Sequence, residues 1–227
     1  METFEEVQTW GATHYHIEKG SHISVKTAKA QINLFTNPYF GRMLFIDGVL
    51  QSSEKDEKLY HKTLVEYCKP TGNVFIAGGA EGATAREVLE GYKISKVVMV
   101  DWDKELVDLM RKEVFCQGAF YNPLLEVIHE DIMKYLSGPC EFYDSIIIDL
   151  LDPNTEDEIK WLSAVSVLAV TRLHSGGTLV MNAGGNYDTM VRLVHVLEEK
   201  ALCRTEYKVI FIPSFQELWY LIKICKL

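Results

Sequence analysis

The sequence predicts an α/β protein in which a small antiparallel β-sheet precedes a doubly wound, mostly parallel sheet. Two observations predict this fold. Short segments of alternating polar and apolar residues fill the N-terminal quarter of the chain, as in strands with one buried face. From Asn73 onward, continuous apolar runs alternate with amphipathic stretches, which is typical of parallel βαβ units. The chain therefore divides into an antiparallel part followed by a parallel part.

The N-terminal sheet is predicted from alternating segments that turn residues separate. The segments are Tyr15–Glu18, His22–Lys26, Gln31–Phe35 and Met43–Ile46. We expect the sheet to end near Ser53, and residues 1–13 carry little signal. A helix is predicted over 56–67, where apolar residues recur at helical spacing. Residues 1–67 are accordingly predicted to form a small β-sheet domain with a connecting helix, and residues 68–227 a nucleoside-binding domain.

In the second part, the predicted strands and helices alternate. The strands are 74–77, 97–100, 125–128, 144–148 and 177–181, and the helices lie near 83–91, 103–115, 156–173 and 185–200. Two further strands, 207–213 and 217–224, are predicted to form an antiparallel hairpin that closes the sheet.

Composition limits the possible functions and locations. A formal net charge of −9 argues against a nucleic-acid binder and is compatible with a polycationic ligand. The five cysteines form no CxxC pair, so we expect buried, reduced thiols at Cys68, Cys116, Cys140, Cys203 and Cys225. The acidic N-terminus does not resemble a signal peptide, and no segment is long enough to span a membrane. These features favour a cytosolic protein that contacts no membrane.

A glycine-rich turn follows the first parallel strand. The apolar run at 74–77 leads into Gly78, Gly79 and Gly82 and then into a helix start. Glycines allow a ligand to lie against the backbone at a helix N-terminus, as in Rossmann-like folds, including those of the class I methyltransferase type. Glu81 would repel a phosphate and attract a cation. We therefore predict a nucleoside site whose ligand carries positive charge.

Other acidic residues follow later strands, whose carboxyl ends meet at one edge of a parallel sheet. Asp101 lies about 20 residues past the glycine turn, where an acid can accept hydrogen bonds from both ribose hydroxyls. Asp103 is the better candidate for a helix cap. Asp131 could accept from an adenine amino group, or it could cap the helix that opens at Ile132, and the sequence favours neither.

Asp149 and Asp152 form the most informative pair. Two carboxylates about 4 Å apart repel by roughly 4 kcal/mol at an effective dielectric constant of 20. We therefore expect a cation between or beside them, which favours a functional site over a simple turn.

Taken together, these motifs resemble the polyamine aminopropyltransferases, the family of spermidine synthase. The matching motifs are Gln31–Phe35, Gly41–Gly48 with Gln51, Asp56-Glu57 with Tyr60-His61, Gly78–Leu89 and Asp149–Pro153. The resemblance implies transfer of an aminopropyl group from decarboxylated S-adenosylmethionine, a co-substrate, to an amine acceptor, with no further cofactor. It also implies a homodimer or homotetramer.

The resemblance also implies residue roles. Asp149 would be the catalytic base with Tyr60 beside it, and Glu81 would bind the aminopropyl ammonium. The nucleoside part of the donor would contact Gln31, Asp101 and Asp131. The acceptor would contact Gln51 and Asp152, whereas His61 and Trp219 could contact a substrate or pack in the core. His14 and His16 share a strand face without a third ligand, so no metal site is predicted.

Departures from the family pattern bear on the acceptor. Ala80 replaces a third glycine, Glu81 replaces an aspartate, and Asn182 replaces a common glutamine. The forms around Glu81 and Asp149 are closest to members that use agmatine or longer acceptors, including thermospermine synthases, so putrescine, spermidine and agmatine all stay open. Two rivals also stay open: a methyltransferase that uses intact S-adenosylmethionine, and a catalytically weak relative that binds nucleoside or polyamine.

Overall fold

The computed structural model describes residues 2–8, 11–139, 141–201 and 203–226, whose strands form three sheets. Strands β1 and β2 form an antiparallel hairpin, and β3 to β6 form a four-stranded antiparallel sheet. Their bounds are β1 (Glu2–Gln8), β2 (Gly11–Ile17), β3 (Ile23–Lys26), β4 (Gln31–Asn37), β5 (Gly41–Ile46) and β6 (Val49–Ser53).

Residues 1–13 carry little signal in the sequence, yet the structure forms the β1–β2 hairpin there. Most of its side chains are exposed, so apolar alternation is weak. The buried residue of β1 is Glu6, which accepts hydrogen bonds from the Tyr15 hydroxyl at 2.9 Å and the Leu50 backbone N–H at 2.8 Å. A buried carboxylate with two donors is stable in a strand, yet it reads as polar in a sequence pattern. The end of the antiparallel part at Ser53 is confirmed.

The larger sheet has seven strands in the order β9-β8-β7-β10-β11-β13-β12. All neighbours are parallel except β13, which is antiparallel to both β11 and β12. This order confirms the predicted doubly wound sheet and its closing hairpin. The strands are β7 (Gly72–Gly78), β8 (Ile94–Val100), β9 (Leu125–Ile128), β10 (Tyr143–Asp149), β11 (Leu173–Asn182), β12 (Arg204–Ile212) and β13 (Glu217–Cys225).

Helices connect these strands close to the predicted positions. They are α1 (Glu57–Cys68), α2 (Ala83–Gly91), α3 (Lys104–Met110), α4 (Ile132–Ser137), α5 (Glu156–Thr171) and α6 (Tyr187–Ala201), with a short 3-10 helix at Ala119–Tyr121. The helix predicted over 103–115 ends at Met110. Beyond it, Gln117 and Gly118 adopt positive φ, while Phe115 and Cys116 pack into the core. The apolar residues beyond Met110 therefore belong to a turn that packs on the core and do not continue the helix.

Buried apolar residues lie on both faces of the seven-stranded sheet. On one face, a cluster shared with the N-terminal sheet includes Leu34, Leu44, Leu64 and Ile76. The other face packs against α5 and α6. The first cluster combines residues from both parts of the chain, so it packs the N-terminal sheet against one face of the larger sheet. The division into residues 1–67 and 68–227 stays a prediction.

Two sequence-based expectations concern thiols and membranes. Cys68 and Cys116 are buried free thiols, and Cys203 is partly buried. Cys225 is exposed because it lies at the end of β13. The expectation that this thiol is buried was therefore wrong. Cys140 lies outside the described residues. No helix within the described ranges is both long and apolar enough to cross a membrane.

Candidate active site

A cavity of about 310 Å³ opens at the carboxyl ends of β7, β8 and β10. The sheet order changes direction between β7 and β10, which is where doubly wound sheets bind ligands. The N-terminal sheet and the β12–β13 turn complete its walls. The predicted site residues that line it are Gln51, Tyr60, His61, Gly78, Gly79, Glu81, Asp101, Asp149, Asp152 and Trp219.

Glycines bring the loop after β7 against the end of β10. Gly78 has φ +79, and a Cβ there would lie 2.2 Å from the backbone oxygen of Asp149. Gly82 has the same φ and forms the N-cap of α2, where a Cβ would clash with the Phe120 ring at 2.7 Å. Only glycine fits either position. These two residues therefore place Glu81 and Asp149 on one cavity.

Asp149 accepts a hydrogen bond on each carboxylate oxygen. The Tyr60 hydroxyl donates to Oδ1 at 2.7 Å, and the Thr84 hydroxyl donates to Oδ2 at 2.6 Å. Burial, together with the nearby Asp149 charge, raises the pKa of Tyr60 well above its ordinary value. Tyr60 is therefore a neutral donor throughout the physiological range.

His61 bridges the two sides of the cavity. Its Nε2 contacts Glu81 Oε1, and its Nδ1 lies 2.9 Å from Thr84 Oγ1 and 3.7 Å from Asp149 Oδ2. Burial lowers the pKa of His61, but the charges of Glu81 and Asp149 outweigh burial and raise it above its ordinary value. The two carboxylates therefore favour the charged form of His61.

Asp152 occupies a different environment. Although the residue keeps some solvent contact, burial of its carboxyl group, with repulsion from Asp149, raises its pKa from 3.8 to about 6. Asn182 donates from Nδ2 to Asp152 Oδ1 at 2.7 Å, and its own Oδ1 accepts from Trp219 Nε1 at 2.8 Å. Asn182 thus orients both the acid and the indole ring.

The end of the cavity next to β8 carries Asp101 and Trp102. Asp101 accepts from the backbone N–H of Asp103 at 2.9 Å, and burial raises the pKa of its carboxyl group. Asp103 caps α3 by accepting from Leu106 N, as predicted. Lys29 Nζ lies 4.5 Å from the centroid of the exposed Trp102 ring, so a cation–π contact covers this end of the cavity.

Two predicted nucleoside contacts, Gln31 and Asp131, do not line the cavity. Gln31 donates from its side chain to Ser24 Oγ at 3.0 Å, and its backbone N–H donates to Asp47, which does line the cavity. Asp131 caps α4 by accepting from Lys134 N at 2.9 Å. The cap role is therefore observed for Asp131. The nucleoside contacts of both residues stay predictions.

Arg86 anchors the helix that follows the glycine loop. Its guanidinium is 1% exposed and donates to Glu57 Oε2 at 2.7 Å, to Glu87 Oε1 at 2.8 Å and to the backbone oxygen of Phe115. Burial raises the pKa of Glu57, although Arg86 opposes the rise. This buried ion pair ties α2 to α1 and so holds Thr84 beside His61.

A second cavity, of about 860 Å³, adjoins the first and shares Asp152, Phe215 and Trp219 with it. Glu6 and Glu217 also line it. A ligand at Asp149 could therefore extend past the Trp219 ring toward these acids. Trp161 lies on α5 and packs against the core on the other face of the sheet, away from both cavities.

Sequence reasoning did not identify Thr84 or Asn182 as organisers of the site. Thr84 lies within the glycine motif, but its partners His61 and Asp149 are 23 and 65 residues away. Asn182 was noted only as a departure from a family pattern. Among the described residues, no group of three or more His, Cys, Asp or Glu side chains could hold a metal ion.

Comparisons with known proteins agree on one family. The model of the spermine/spermidine synthase domain matches residues 53–227. The polyamine aminopropyltransferase of Saccharolobus islandicus (strain Y.N.15.51) is 32% identical over 226 residues, which cover 94% of this chain and 75% of that protein. Polyamine aminopropyltransferase 2 of Pseudomonas aeruginosa is 40% identical over 151 residues, 63% of this chain and 43% of that protein.

Solved structures share the fold. A spermidine synthase in complex with the transition state analogue AdoDATO superposes with a TM-score of 0.87 at 22% identity, covering 99% of this chain and 80% of that one. The spermidine synthase from Thermotoga maritima gives a TM-score of 0.86, also at 22% identity, over 100% of this chain and 80% of that chain.

Proposed function

The chain belongs to the spermine/spermidine synthase family, and from this premise we propose that it transfers an aminopropyl group from decarboxylated S-adenosylmethionine to a di- or polyamine. The observation that carries the proposal is the convergence of Glu81, Asp101, Asp149 and Asp152 on one cavity. In ion pairs among the described residues, only His61 balances Glu81 or Asp149. Such a cavity suits a donor and an acceptor that are both cationic.

Asp149 is the proposed base. An alkylamine with a pKa near 10 must lose a proton before it can attack, which costs roughly 4 kcal/mol at pH 7. Asp149 takes that proton, the nitrogen lone pair attacks the carbon beside the sulfonium, and the C–S bonding electrons move to sulfur. Methylthioadenosine leaves as a neutral thioether. The Tyr60 hydroxyl holds Asp149 in position through a 2.7 Å hydrogen bond to Oδ1. Alignment of the base with the amine then supplies much of the rate acceleration.

Glu81 is the proposed selector of the donor. Intact S-adenosylmethionine carries a carboxylate beside its amino group, which Glu81 would repel. The decarboxylated form carries a lone ammonium, which Glu81 would attract. Asp101, Gln31 and Asp131 are the proposed contacts of the nucleoside.

The acceptor is proposed to bind along Asp152, Gln51 and Trp219. The aromatic ring of Trp219 suits a methylene chain with ammonium ends. Putrescine, spermidine and agmatine are all candidates.

Donor binding tests this proposal against its rivals. We expect calorimetry to show tighter binding of decarboxylated than of intact S-adenosylmethionine, and Glu81→Gln to reduce that preference. Glu90→Gln, on the exposed face of α2, is the matched control and should leave the preference unchanged. Tighter binding of the intact form would instead support a methyltransferase. Donor preference without turnover of any amine would identify a weak binding relative.

The cellular compartment, the oligomeric state and the cofactor requirement are also proposals. We expect a cytosolic, reducing compartment, in keeping with the free thiols of the described residues. A homodimer or homotetramer, and a reaction without any cofactor beyond the co-substrate, are further expectations from the family.

A further inference from the structure

A chain of hydrogen bonds runs between the glycine-loop acid and the proposed base. Glu81 contacts His61 Nε2, His61 Nδ1 lies 2.9 Å from Thr84 Oγ1, and Thr84 Oγ1 lies 2.6 Å from Asp149 Oδ2. His61 is 3% exposed and Thr84 is fully buried, so the partners of both side chains are fixed by the protein. The two carboxylates at the ends of this chain both face the cavity.

With both end carboxylates ionised, the hydrogen bonds along this chain set the charge of His61. A carboxylate oxygen can only accept, so the single Thr84 proton goes to Asp149, and His61 Nδ1 must donate to the Thr84 oxygen. Glu81 likewise only accepts, so His61 Nε2 must donate to it. Both ring nitrogens therefore carry protons, and His61 is an imidazolium in the ligand-free protein. The buried Glu57, the third acid whose charge acts on His61, favours the same state.

The Thr84 hydroxyl can serve only one acceptor at a time. If His61 becomes neutral by losing the Nδ1 proton, Nδ1 turns into an acceptor and the hydroxyl can rotate toward it. Asp149 Oδ2 then loses a donor. A carboxylate with fewer hydrogen bonds holds a proton more strongly, so Asp149 becomes a better base.

We propose that His61 and Thr84 are positioning residues that couple binding of the donor ammonium at Glu81 to activation of Asp149. This coupling rests on the proposed function. The arriving ammonium places a second positive charge beside the imidazolium, which favours loss of the His61 Nδ1 proton. Because His61 and Thr84 are buried, the Nδ1 proton passes to the Thr84 oxygen while the Thr84 proton passes to Asp149, which lines the cavity and releases it to solvent. Thr84 then donates to His61, and Asp149, relieved of one hydrogen bond, accepts the proton of the acceptor amine. Donor binding thus releases one proton from the protein. The Thr84 hydroxyl still donates one hydrogen bond, now to His61 instead of Asp149.

Proton release on binding is the direct test. Calorimetry of decarboxylated S-adenosylmethionine at pH 7.5, in buffers with different ionisation enthalpies, should show release of about one proton by the wild-type protein. Methylthioadenosine, which lacks the ammonium, should bind without release. His61→Gln should bind the donor with no release, whereas His195→Gln, an exposed histidine on α6, should match the wild type.

Thr84 variants separate coupling from simple packing. Thr84→Val keeps the shape but has no proton for a neutral His61, so it should release fewer protons, and Thr84→Ser should restore the wild-type count. Tight donor binding by the wild type without proton release would overturn the coupling and leave the proposed function standing. Release of the full proton by folded Thr84→Val would also overturn it. Absence of donor binding would instead refute the proposed function.

Should His61→Gln fail to fold, nitrogen NMR of the wild-type protein gives the same answer. His61 should carry protons on both ring nitrogens in the free state and on Nε2 alone with the donor bound. A neutral ring in the free protein would overturn the inference.

Discussion

Replacing Asp152 with asparagine should stabilise the folded protein at neutral pH and weaken binding of the amine. Burial raises the pKa of Asp152 from 3.8 to about 6, so its ionised form is less favourable in the folded than in the unfolded chain. Between these pH values the folded protein binds more protons than the unfolded one, so the free energy of unfolding falls as pH rises. The loss levels off about one pH unit above the folded-state pKa, where Asp152 is ionised in both states.

The size of the effect follows from the two pKa values. A difference of about two pH units corresponds to roughly 3 kcal/mol, and the solvent contact of Asp152 reduces this to about 1 to 3 kcal/mol. Asn182 Nδ2 donates to Asp152 Oδ1 at 2.7 Å, and Asp152→Asn keeps an oxygen that can accept it. The substitution therefore removes the charge while preserving this bond.

Urea unfolding at pH 7.5 and at pH 4 measures the effect. Asp152→Asn should raise the free energy of unfolding at pH 7.5 and have a much smaller effect at pH 4, where Asp152 is protonated in the folded state and only partly ionised in the unfolded chain. The matched control is Asp157→Asn, whose side chain is 96% exposed and should leave the pH dependence unchanged. An Asp152→Asn variant that is no more stable than the wild type at pH 7.5 would show that the ionised Asp152 does not destabilise the fold.

Two further substitutions test the supports of the site. Arg86→Met leaves buried carboxylates unpaired and should lower the free energy of unfolding by about 3 to 5 kcal/mol. Arg192→Met, which breaks the exposed pair with Glu156, should lower it far less because solvent screens that pair. Equal losses in urea unfolding would contradict the buried role. Asn182→Ala frees Asp152 and should raise KM for the amine more than it lowers kcat, because it disturbs acceptor alignment; an unchanged KM would argue against this.

Much of the fold could be predicted from the sequence because its determinants are local. Short stretches of sequence suffice to predict the apolar strands β7, β8 and β10 and the glycine turn after β7. An acid that follows a parallel strand must lie at the carboxyl edge of the sheet. The β1–β2 hairpin could not be predicted, since its exposed strands show little apolar alternation and its buried residue is a glutamate.

The connections within the site depend on long-range contacts that no spacing reveals. Tyr60 and Asp149 are 89 residues apart, and Thr84 meets Asp149 only because α2 begins against the end of β10. Asn182 likewise hydrogen-bonds Asp152 and Trp219 from the end of β11. The sequence of that strand predicts only an apolar run. Residue types were therefore predictable at the site, whereas their hydrogen-bond partners were not.

Asp149 is proposed to deprotonate an amine that then takes an aminopropyl group. Mass spectrometry of the products, after incubation with decarboxylated S-adenosylmethionine and putrescine, spermidine or agmatine, tests it most directly. The wild type should yield methylthioadenosine and one acceptor extended by an aminopropyl group, and Asp149→Asn should yield neither while still binding the donor. Near-normal product from Asp149→Asn, or no aminopropyl product from the wild type with any amine, would contradict the account.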